Sequence, residues 1–299
     1  MVKFGMTDIK DWKNDKLLFK YLSDNLIRGR ISLVIGSGVS KYFGLPTWQE
    51  LIDKLYALKK QTPNTYISKE MQVEYFRESL CENDQDYFLA IQDGLYSKAE
   101  LDFESLKNLS TLSAIGSLVM ASKRGSASNV ISFNFDNILE LFLKYSGFVT
   151  NSRYQTNHWA DNSDVDIYHP HGFIPAPPIK QFSDDIVFDL ISYSKTIGDE
   201  SNPWRQHVIS IMRTHFCIFI GLSGDDNNLD SLLTRCHETH IAKEEGVLFW
   251  GLVFKKNVSK EDKIHWNNRG IFIKEIKLDY EEQIPKELFR ICQGAANNR

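Results

Sequence analysis

Four short runs of glycine, serine, asparagine, histidine and aspartate could bind a ligand or carry out chemistry, and each follows an apolar segment. The runs are GSGVS at 36–40, SFNFD at 132–136, HPHG at 169–172 and GLSGDDNNL at 221–229. Glycines after a strand allow a tight turn and let a phosphate approach backbone N–H groups. One such run is common, whereas four in one chain predict a shared crevice.

The GSGVS run by itself allows two interpretations. The dinucleotide-binding pattern G-x-G-x-x-G fails because Lys41 stands where the third glycine would be. The P-loop pattern fails as well, since no G-K-[ST] follows. The run is therefore either a turn after a strand or a place where a ligand approaches the backbone, and both interpretations stay open.

Two of the other runs contain polar residues with either a structural or a binding role. A buried asparagine is costly unless its amide is hydrogen-bonded, so Asn134 is a structural bracket or a ligand-binding group. Asp136 precedes a predicted helix and is well placed to cap it. Asp226 either caps the next predicted helix or belongs to a helix start that favours anions.

The HPHG run offers a histidine for acid–base chemistry. His169 and His171 would share one face of a strand, as metal ligands can, but no nearby carboxylate or cysteine completes a set. We therefore expect no metal. His171 would instead project from the loop and titrate near neutrality, as a general base must. Cys236, His237 and His240 form a second conceivable metal cluster, which we interpret as a helix surface.

Apolar periodicity predicts the elements that position these runs. Predicted strands cover 31–35, 129–134, 166–169, 215–221, 247–254 and 270–276. Predicted helices cover 15–28, 48–58, 137–145, 203–213, 228–240 and 281–291, and Thr47 with Glu50 forms a capping box before the second of them. The alternation predicts an α/β, Rossmann-like parallel sheet with helices on both faces. In such sheets, ligands bind beyond the carboxyl ends of the strands.

The chain reads as a single domain over residues 1–299, with a helical insertion at about 61–124. Its net charge of −4 gives no reason to expect nucleic acid or an anionic membrane as a partner.

The four cysteines form no C-x-x-C pair, which indicates free thiols in a reducing compartment. The first residues are too polar for a signal peptide and the longest apolar run, 247–254, is too short for a membrane span. We therefore expect a cytoplasmic protein.

Taken in order, the four runs resemble motifs of the sirtuin superfamily. Sirtuins carry G-A-G-x-S at the first strand end, T-Q-N-x-D at a later one, then a catalytic H-G and then G-T-S. GSGVS, SFNFD, His171-Gly172 and GLS at 221–223 are similar to these in turn. The sequence GLP at 44–46 is similar to a further sirtuin step, G-[IL]-P. Order and approximate spacing agree from about residue 31 to about residue 254.

The chain lacks the four-cysteine zinc ribbon of typical sirtuin deacetylases. The segments TWQELI, NFDNILE and GLSGDDNNLDSLL resemble the sirtuin-like NADase domains of bacterial antiphage systems, which have a helical insertion instead. The resemblance implies that NAD⁺ is the substrate and that the protein depletes NAD⁺ as an effector of defence. It also implies a homo-oligomer, or a separate activating partner such as a HerA-type ATPase. The alternative is that the chain is a fragment of a longer protein.

The resemblance further assigns roles to residues. It implies that Asn134 orients the ribose and a water and that His171 is the general base. The implied NAD⁺-binding residues are Gly36, Ser37, Gly38, Ser40, Asp136, Gly221, Ser223 and Asn228. A bulky residue at Gly38 should then stop NAD⁺ binding without unfolding the protein. Two alternatives stay open: a protein deacylase or ADP-ribosyltransferase, and a non-catalytic nucleotide-binding scaffold.

Overall fold

One parallel sheet organises the part of the chain that the structure, a computed structural model, describes. That part is residues 6–120, 126–154, 162–180, 182–183, 186–199, 201–222, 224, 226–244 and 246–297. The strands are β1 (Ile31–Ile35), β2 (Asn129–Ser132), β3 (Thr150–Arg153), β4 (Val165–Tyr168), β5 (Phe216–Ile220), β6 (Gly251–Lys256) and β7 (Ile271–Ile276). They form a seven-stranded sheet in the order β3-β4-β2-β1-β5-β6-β7, and every neighbouring pair is parallel.

Helices connect and cover these strands. They are α1 (Ile9–Lys13), α2 (Asp15–Ile27), α3 (Ser37–Ser40), α4 (Trp48–Leu58), α5 (Lys69–Leu80), α6 (Asp84–Tyr96), α7 (Phe103–Lys107), α8 (Ser110–Val119), α9 (Ile138–Tyr145), α10 (Leu190–Gly198), α11 (Pro203–Thr214), α12 (Asn227–Thr239), α13 (Lys260–Asn267) and α14 (Tyr280–Asn297). Short 3₁₀ turns lie at Lys41–Phe43 and Ile241–Lys243. Within the described ranges, none of these helices has the length and apolar character needed to cross a bilayer.

The two central strands show why the sheet is covered on both faces. Every residue of β1 and β5 is buried, as expected for short apolar runs in a parallel sheet. Side chains alternate along β1: Leu33 and Ile35 join a large apolar core on one face, whereas Val34 joins a smaller core on the other. Helices α2, α4, α8 and α14 contribute to the large core, and α11, α12 and α13 contribute to the smaller one. The predicted Rossmann-like α/β fold is confirmed.

The strand order creates a switch point at β1. Ile35, at the end of β1, pairs with Ser132 of β2 on one side and with Ile220 of β5 on the other. The chain builds β2, β3 and β4 on the first side before it returns to add β5 on the second. Connections that leave such a strand in opposite directions open a crevice at its carboxyl end, where ligands bind. The segments that follow β1, β2, β4 and β5 therefore converge.

The helices between β1 and β2 agree with the expected helical segment, with one refinement. Helices α5 to α8 lie within residues 61–120, and the capping box of Thr47 and Glu50 at the start of α4 is present as predicted. Helix α8 packs along the C-terminal helix α14 and so belongs to the layer that covers the sheet. This helix is thus part of the main core, and the single-domain organisation stays an interpretation.

Candidate active site

The segments that follow β1, β2, β4 and β5 enclose a cavity of about 440 Å³, within the range typical of small-molecule sites. We call it the strand-end cavity. Its lining includes Gly36, Ser40, Asn134, His171, Gly221 and Asp226. The convergence predicted from the four sequence runs is therefore present, because each run contributes at least one lining residue.

The 36–40 run forms a single helical turn that is held against the end of β5. The amide N–H of Gly36 donates to Ile220 O at 2.9 Å, and that of Gly38 donates to Gly221 O at 3.0 Å. The amide N–H of Val39 donates to Gly36 O at 3.0 Å. Three backbone donors of this run are thus used within the fold. These three N–H groups are therefore not free to bind a phosphate in this arrangement.

The glycines of this run allow two backbones to touch. A Cβ added at Gly38 would lie 2.7 Å from the Cα of Gly221, and one added at Gly36 would lie 2.8 Å from Gly221 O. Gly221 itself has a φ of +73°, a conformation that favours glycine. Gly36 and Gly221 line the cavity, whereas Gly38 faces the Gly221 backbone and does not. The two-loop contact, rather than ligand access, explains the glycine at position 38.

The side chain of Asn134 links the ends of β1 and β2. Its amide nitrogen Nδ2 donates to Gly36 O at 3.1 Å and to Ser40 Oγ at 3.0 Å. The Ser40 hydroxyl in turn hydrogen-bonds the carboxyl group of Asp136. Because both hydrogen bonds of the amide use its nitrogen, the amide oxygen is left without a described partner. Asn134 can therefore link the two strand ends through its amide nitrogen and contact a ligand through its amide oxygen.

Asp136 is a buried carboxyl group next to the cavity. Burial raises its pKa from 3.8 to about 6, although hydrogen bonds from Ser40 and from the Ile138 amide oppose the rise. The Ile138 amide donates to Asp136 Oδ1 at 3.1 Å at the start of α9. The N-cap residue of that helix is Asn137, which corrects the expectation that Asp136 occupies the cap position. Asp136 still satisfies one of the free amides of the helix start.

His171 lies on the cavity wall and is almost fully enclosed. Its ring packs edge-on against Phe133, with 4.9 Å between ring centroids, and bonds the Phe133 backbone. Its Nε2 atom lies 3.4 Å from Asp226 Oδ2. Burial lowers the pKa of His171 below 6.5, and the neighbouring carboxylate of Asp226 opposes this only partly. The ring is therefore neutral near pH 7 and can accept a proton.

Asp226 caps the start of α12, which is one of the two roles that the sequence left open. Its Oδ1 atom accepts a hydrogen bond from the Leu229 amide at 3.1 Å, which caps the start of α12. Its other oxygen faces His171, and the residue lines the cavity. One carboxylate oxygen thus caps the helix, and the second lies next to His171 at the cavity.

His169, the other histidine of the HPHG run, points away from the cavity. Its Nδ1 atom lies 3.1 Å from Asn134 O, and its Nε2 atom lies 2.7 Å from Glu140 Oε1. Glu140 raises the pKa of His169 above 6.5 despite complete burial. The pair holds the backbone that carries Asn134. In the described ranges, no three His, Cys, Asp or Glu side chains are grouped so that they could hold a metal ion.

The chain can now be compared with known protein families. Residues 128–273 match the SIR2-like domain family. No curated protein matches the chain. The SIR2-like segment runs from β2 to β7 and includes Asn134, His171 and Asp226. The similarity to the sirtuin superfamily is therefore supported for this segment. The 36–40 run precedes it and is fixed to it by the hydrogen bonds to Ile220 and Gly221.

Two of the predicted binding residues of the SIR2-like segment cannot be placed. Ser223 lies outside the described residues. Asn228 lies in the first turn of α12, and its side chain is also outside the described part. Their contacts with the adenosine half of NAD⁺ therefore stay predictions.

Much of the aromatic lining of the cavity was missed by the sequence patterns. Trp48 and Phe188 line it, with 5.7 Å between their ring centroids, and Phe188 also contacts Phe135 at 5.4 Å. Leu45 and Pro46, from the sirtuin-like GLP step, line the cavity as well. That step and the segment TWQELI, which contains Trp48, were the sequence signals for this part of the cavity. Phe188 follows a stretch with no helical or strand periodicity, so nothing in the sequence pointed to it.

Proposed function

We propose that the protein hydrolyses NAD⁺ to ADP-ribose and nicotinamide. Proteins with SIR2-like domains usually act on NAD⁺. The observation that carries the proposal is that Asn134 and His171, from the ends of β2 and β4, line one cavity beside the 36–40 run. This combination of an amide and a neutral imidazole suits a reaction in which a ribose is oriented and a proton is removed.

The bond to be broken joins the nicotinamide nitrogen to C1′ of the ribose. Its cleavage passes through a state with oxocarbenium character, as in other glycosyl transfers. The enzyme must hold the ribose, limit the access of water and place one nucleophile. The enclosed wall of Trp48, Phe135 and Phe188 supports the exclusion of water from such a site.

Asn134 is the residue we assign to ribose orientation. Its amide nitrogen is held by Gly36 O and Ser40 Oγ, so rotation of the side chain would cost two hydrogen bonds. The amide oxygen is the atom left to contact a ribose hydroxyl or a water. Such a fixed polar group needs little reorganisation when the substrate binds, which favours catalysis.

We assign proton acceptance to His171, because burial keeps its ring neutral at pH 7. Gly36, Ser37, Ser40 and Gly221 line the same cavity and are assigned to contacts with the phosphates and the ribose. Gly38 is not kept in this group, because it packs against Gly221. Asp136 acts through Ser40 on the orientation of Asn134.

The biological role that we propose is depletion of NAD⁺ as an effector of bacterial antiphage defence. The proposal also includes assembly of several copies, or activation by a separate protein such as a HerA-type ATPase. These statements rest on the resemblance of the sequence runs to sirtuin-like NADase domains. Unregulated loss of NAD⁺ would kill the host, which is the physical reason to expect a trigger.

The test is an NAD⁺ assay with the protein alone and with the product of the neighbouring gene. Equal amounts of ADP-ribose and nicotinamide are the expected products. Acyl-ADP-ribose formed from an acyl-lysine peptide would replace the proposal with a deacylase. NAD⁺ that raises the melting temperature yet stays intact for hours would replace it with a nucleotide-binding scaffold.

A further inference from the structure

Asp226 and His171 bring two polar atoms together at the wall of the strand-end cavity. Asp226 Oδ2 lies 3.4 Å from His171 Nε2, and both residues line the cavity. No hydrogen bond joins Nε2 to a described residue, although the atom is enclosed. The two atoms are therefore in contact without a direct hydrogen bond between them.

The protonation state of the His171 ring determines how these two atoms interact. The His171 ring bonds the Phe133 backbone, and a neutral ring that donates there carries a lone pair on its other nitrogen. A lone pair and a carboxylate oxygen would then face each other, and two acceptors repel unless hydrogen atoms lie between them. A water molecule that lies beside the pair, in the cavity that both residues line, supplies two hydrogens and can donate one to each acceptor.

We propose that Asp226 acts together with His171 on the water that attacks C1′ of the nicotinamide ribose. This inference rests on the proposed NAD⁺ hydrolysis and adds a third catalytic residue, after Asn134 and His171. The water oxygen forms a bond to C1′ as the bond from C1′ to nicotinamide breaks. The bonding electron pair leaves with the nicotinamide nitrogen. The water proton passes to His171 Nε2, the Asp226 carboxylate 3.4 Å away stabilises the charged ring, and the proton then leaves to solvent.

The position of Asp226 suits this role. Its other oxygen accepts from the Leu229 amide at 3.1 Å, and its backbone carbonyl accepts from the Asp230 amide at 2.9 Å. The carboxylate is therefore fixed by the first turn of α12. An asparagine or a serine would cap the helix about as well as an aspartate. The helix cap thus does not require a negative charge at position 226. We assign this charge a role next to the imidazole ring of His171.

The variant Asp226→Asn separates the cap from the charge. Asparagine keeps the hydrogen bond to the Leu229 amide and removes the negative charge next to His171. We expect kcat for NAD⁺ hydrolysis to fall about 10²-fold, with KM changed little, because general bases contribute on this scale. Azide is an anionic nucleophile that needs no deprotonation, so it should restore NAD⁺ consumption and give ADP-ribosyl azide. The same azide should not rescue Asn134→Ala.

Two further variants make the test specific. Asp226→Ser keeps a capping oxygen but is too short to reach His171, and it should show the same azide rescue. Asp102→Asn changes an aspartate that caps α7 through the Ser105 amide, outside the lining of the cavity, and should keep full kcat. Rescue by azide also shows that a variant is folded.

The outcomes are distinct. Wild-type protein that cleaves NAD⁺ while Asp226→Asn keeps full kcat overturns this inference and leaves the proposed function standing. A large rise in KM at unchanged kcat overturns it too, because Asp226 would then bind a substrate hydroxyl. Wild-type protein without any NAD⁺ cleavage refutes the proposed function, and the inference falls with it.

Discussion

The side-chain amide of Asn134 donates a hydrogen bond to the backbone carbonyl of Gly36 at 3.1 Å. This bond joins the end of β2 to the end of β1, at the strand where the sheet order reverses. It therefore ties the proposed ribose-orienting group directly to the glycine run. The structural link is observed, and the binding role that we propose belongs to the same side chain.

Replacement of Asn134 by alanine should affect both functions of the residue. We expect Asn134→Ala to reduce NAD⁺ turnover by at least about 10²-fold, since orientation of the ribose is lost. We also expect the free energy of unfolding to fall by about 1–3 kcal/mol, because Gly36 O loses a partner in a buried place. Asn129→Ala, at the start of the same strand and outside the cavity lining, is the control and should keep its activity. Full turnover in Asn134→Ala would refute the assignment.

The raised pKa of Asp136 predicts that the stability of the protein depends on pH. Its pKa is raised from 3.8 to about 6 in the folded protein, so the folded state binds the proton more tightly. The stability that this group contributes is fully present below about pH 4 and is lost as the pH rises through about 6. This loss lowers the free energy of unfolding by about 3 kcal/mol. Asp136→Asn removes this titration. Its free energy of unfolding, relative to wild type, should rise between about pH 4 and about pH 7.

Denaturant unfolding at several pH values measures this difference. A difference that stays flat between about pH 4 and about pH 7 for Asp136→Asn would show that the carboxyl group is not held in its neutral form by burial.

The activity should depend on pH through His171. Burial lowers the pKa of this histidine below 6.5, and only the neutral ring can accept a proton. The acid limb of kcat/KM should therefore have its midpoint below pH 6.5. Asp226 is the charged group that raises the pKa of His171, so Asp226→Asn should move that limb to still lower pH. A midpoint above pH 6.5 would contradict the neutral-base assignment.

A substitution at Gly38 can distinguish a packing role of this residue from a role in NAD⁺ binding. The Cβ of an alanine at this position would lie 2.7 Å from Gly221 Cα, so the two loops would have to move apart. We expect Gly38→Ala to lower the free energy of unfolding by about 1–3 kcal/mol, and to weaken NAD⁺ binding as a consequence. Thermal unfolding and NAD⁺ binding, measured on the same variant, give the answer. Lost binding at an unchanged melting temperature would instead support the phosphate-cradle interpretation.

The sequence predicted the frame of the protein well because that frame depends on local patterns. The apolar runs of β1 and β5 are continuous and are buried on both faces, so they were recognised by composition alone. Helix α13 was missed because Trp266 is its one buried residue, which leaves no apolar periodicity to detect. Strand β3 was missed as well, because the segment TNSR is polar and only half-buried.

The site was predicted less completely, since it depends on contacts between distant residues. Asn134 and His171 could be selected because each follows an apolar strand, and their roles stay predictions. The partnership of His171 with Asp226 joins residues far apart in the chain and has no local signature. The same is true of His169 and Glu140 and of the aromatic wall at Phe188. Gly38 shows a further limit, because a glycine that packs against a neighbouring loop has the same local pattern as one that approaches a ligand.

The most direct test of the account is the stoichiometry of NAD⁺ cleavage. Wild-type protein, alone and with the product of its neighbouring gene, should release nicotinamide and ADP-ribose in equal amounts. Folded Asn134→Ala and His171→Ala variants, under the same conditions, should release neither above background. NAD⁺ that stays intact with the wild-type protein in both preparations, or cleavage that persists at the wild-type rate in both variants, would contradict the account.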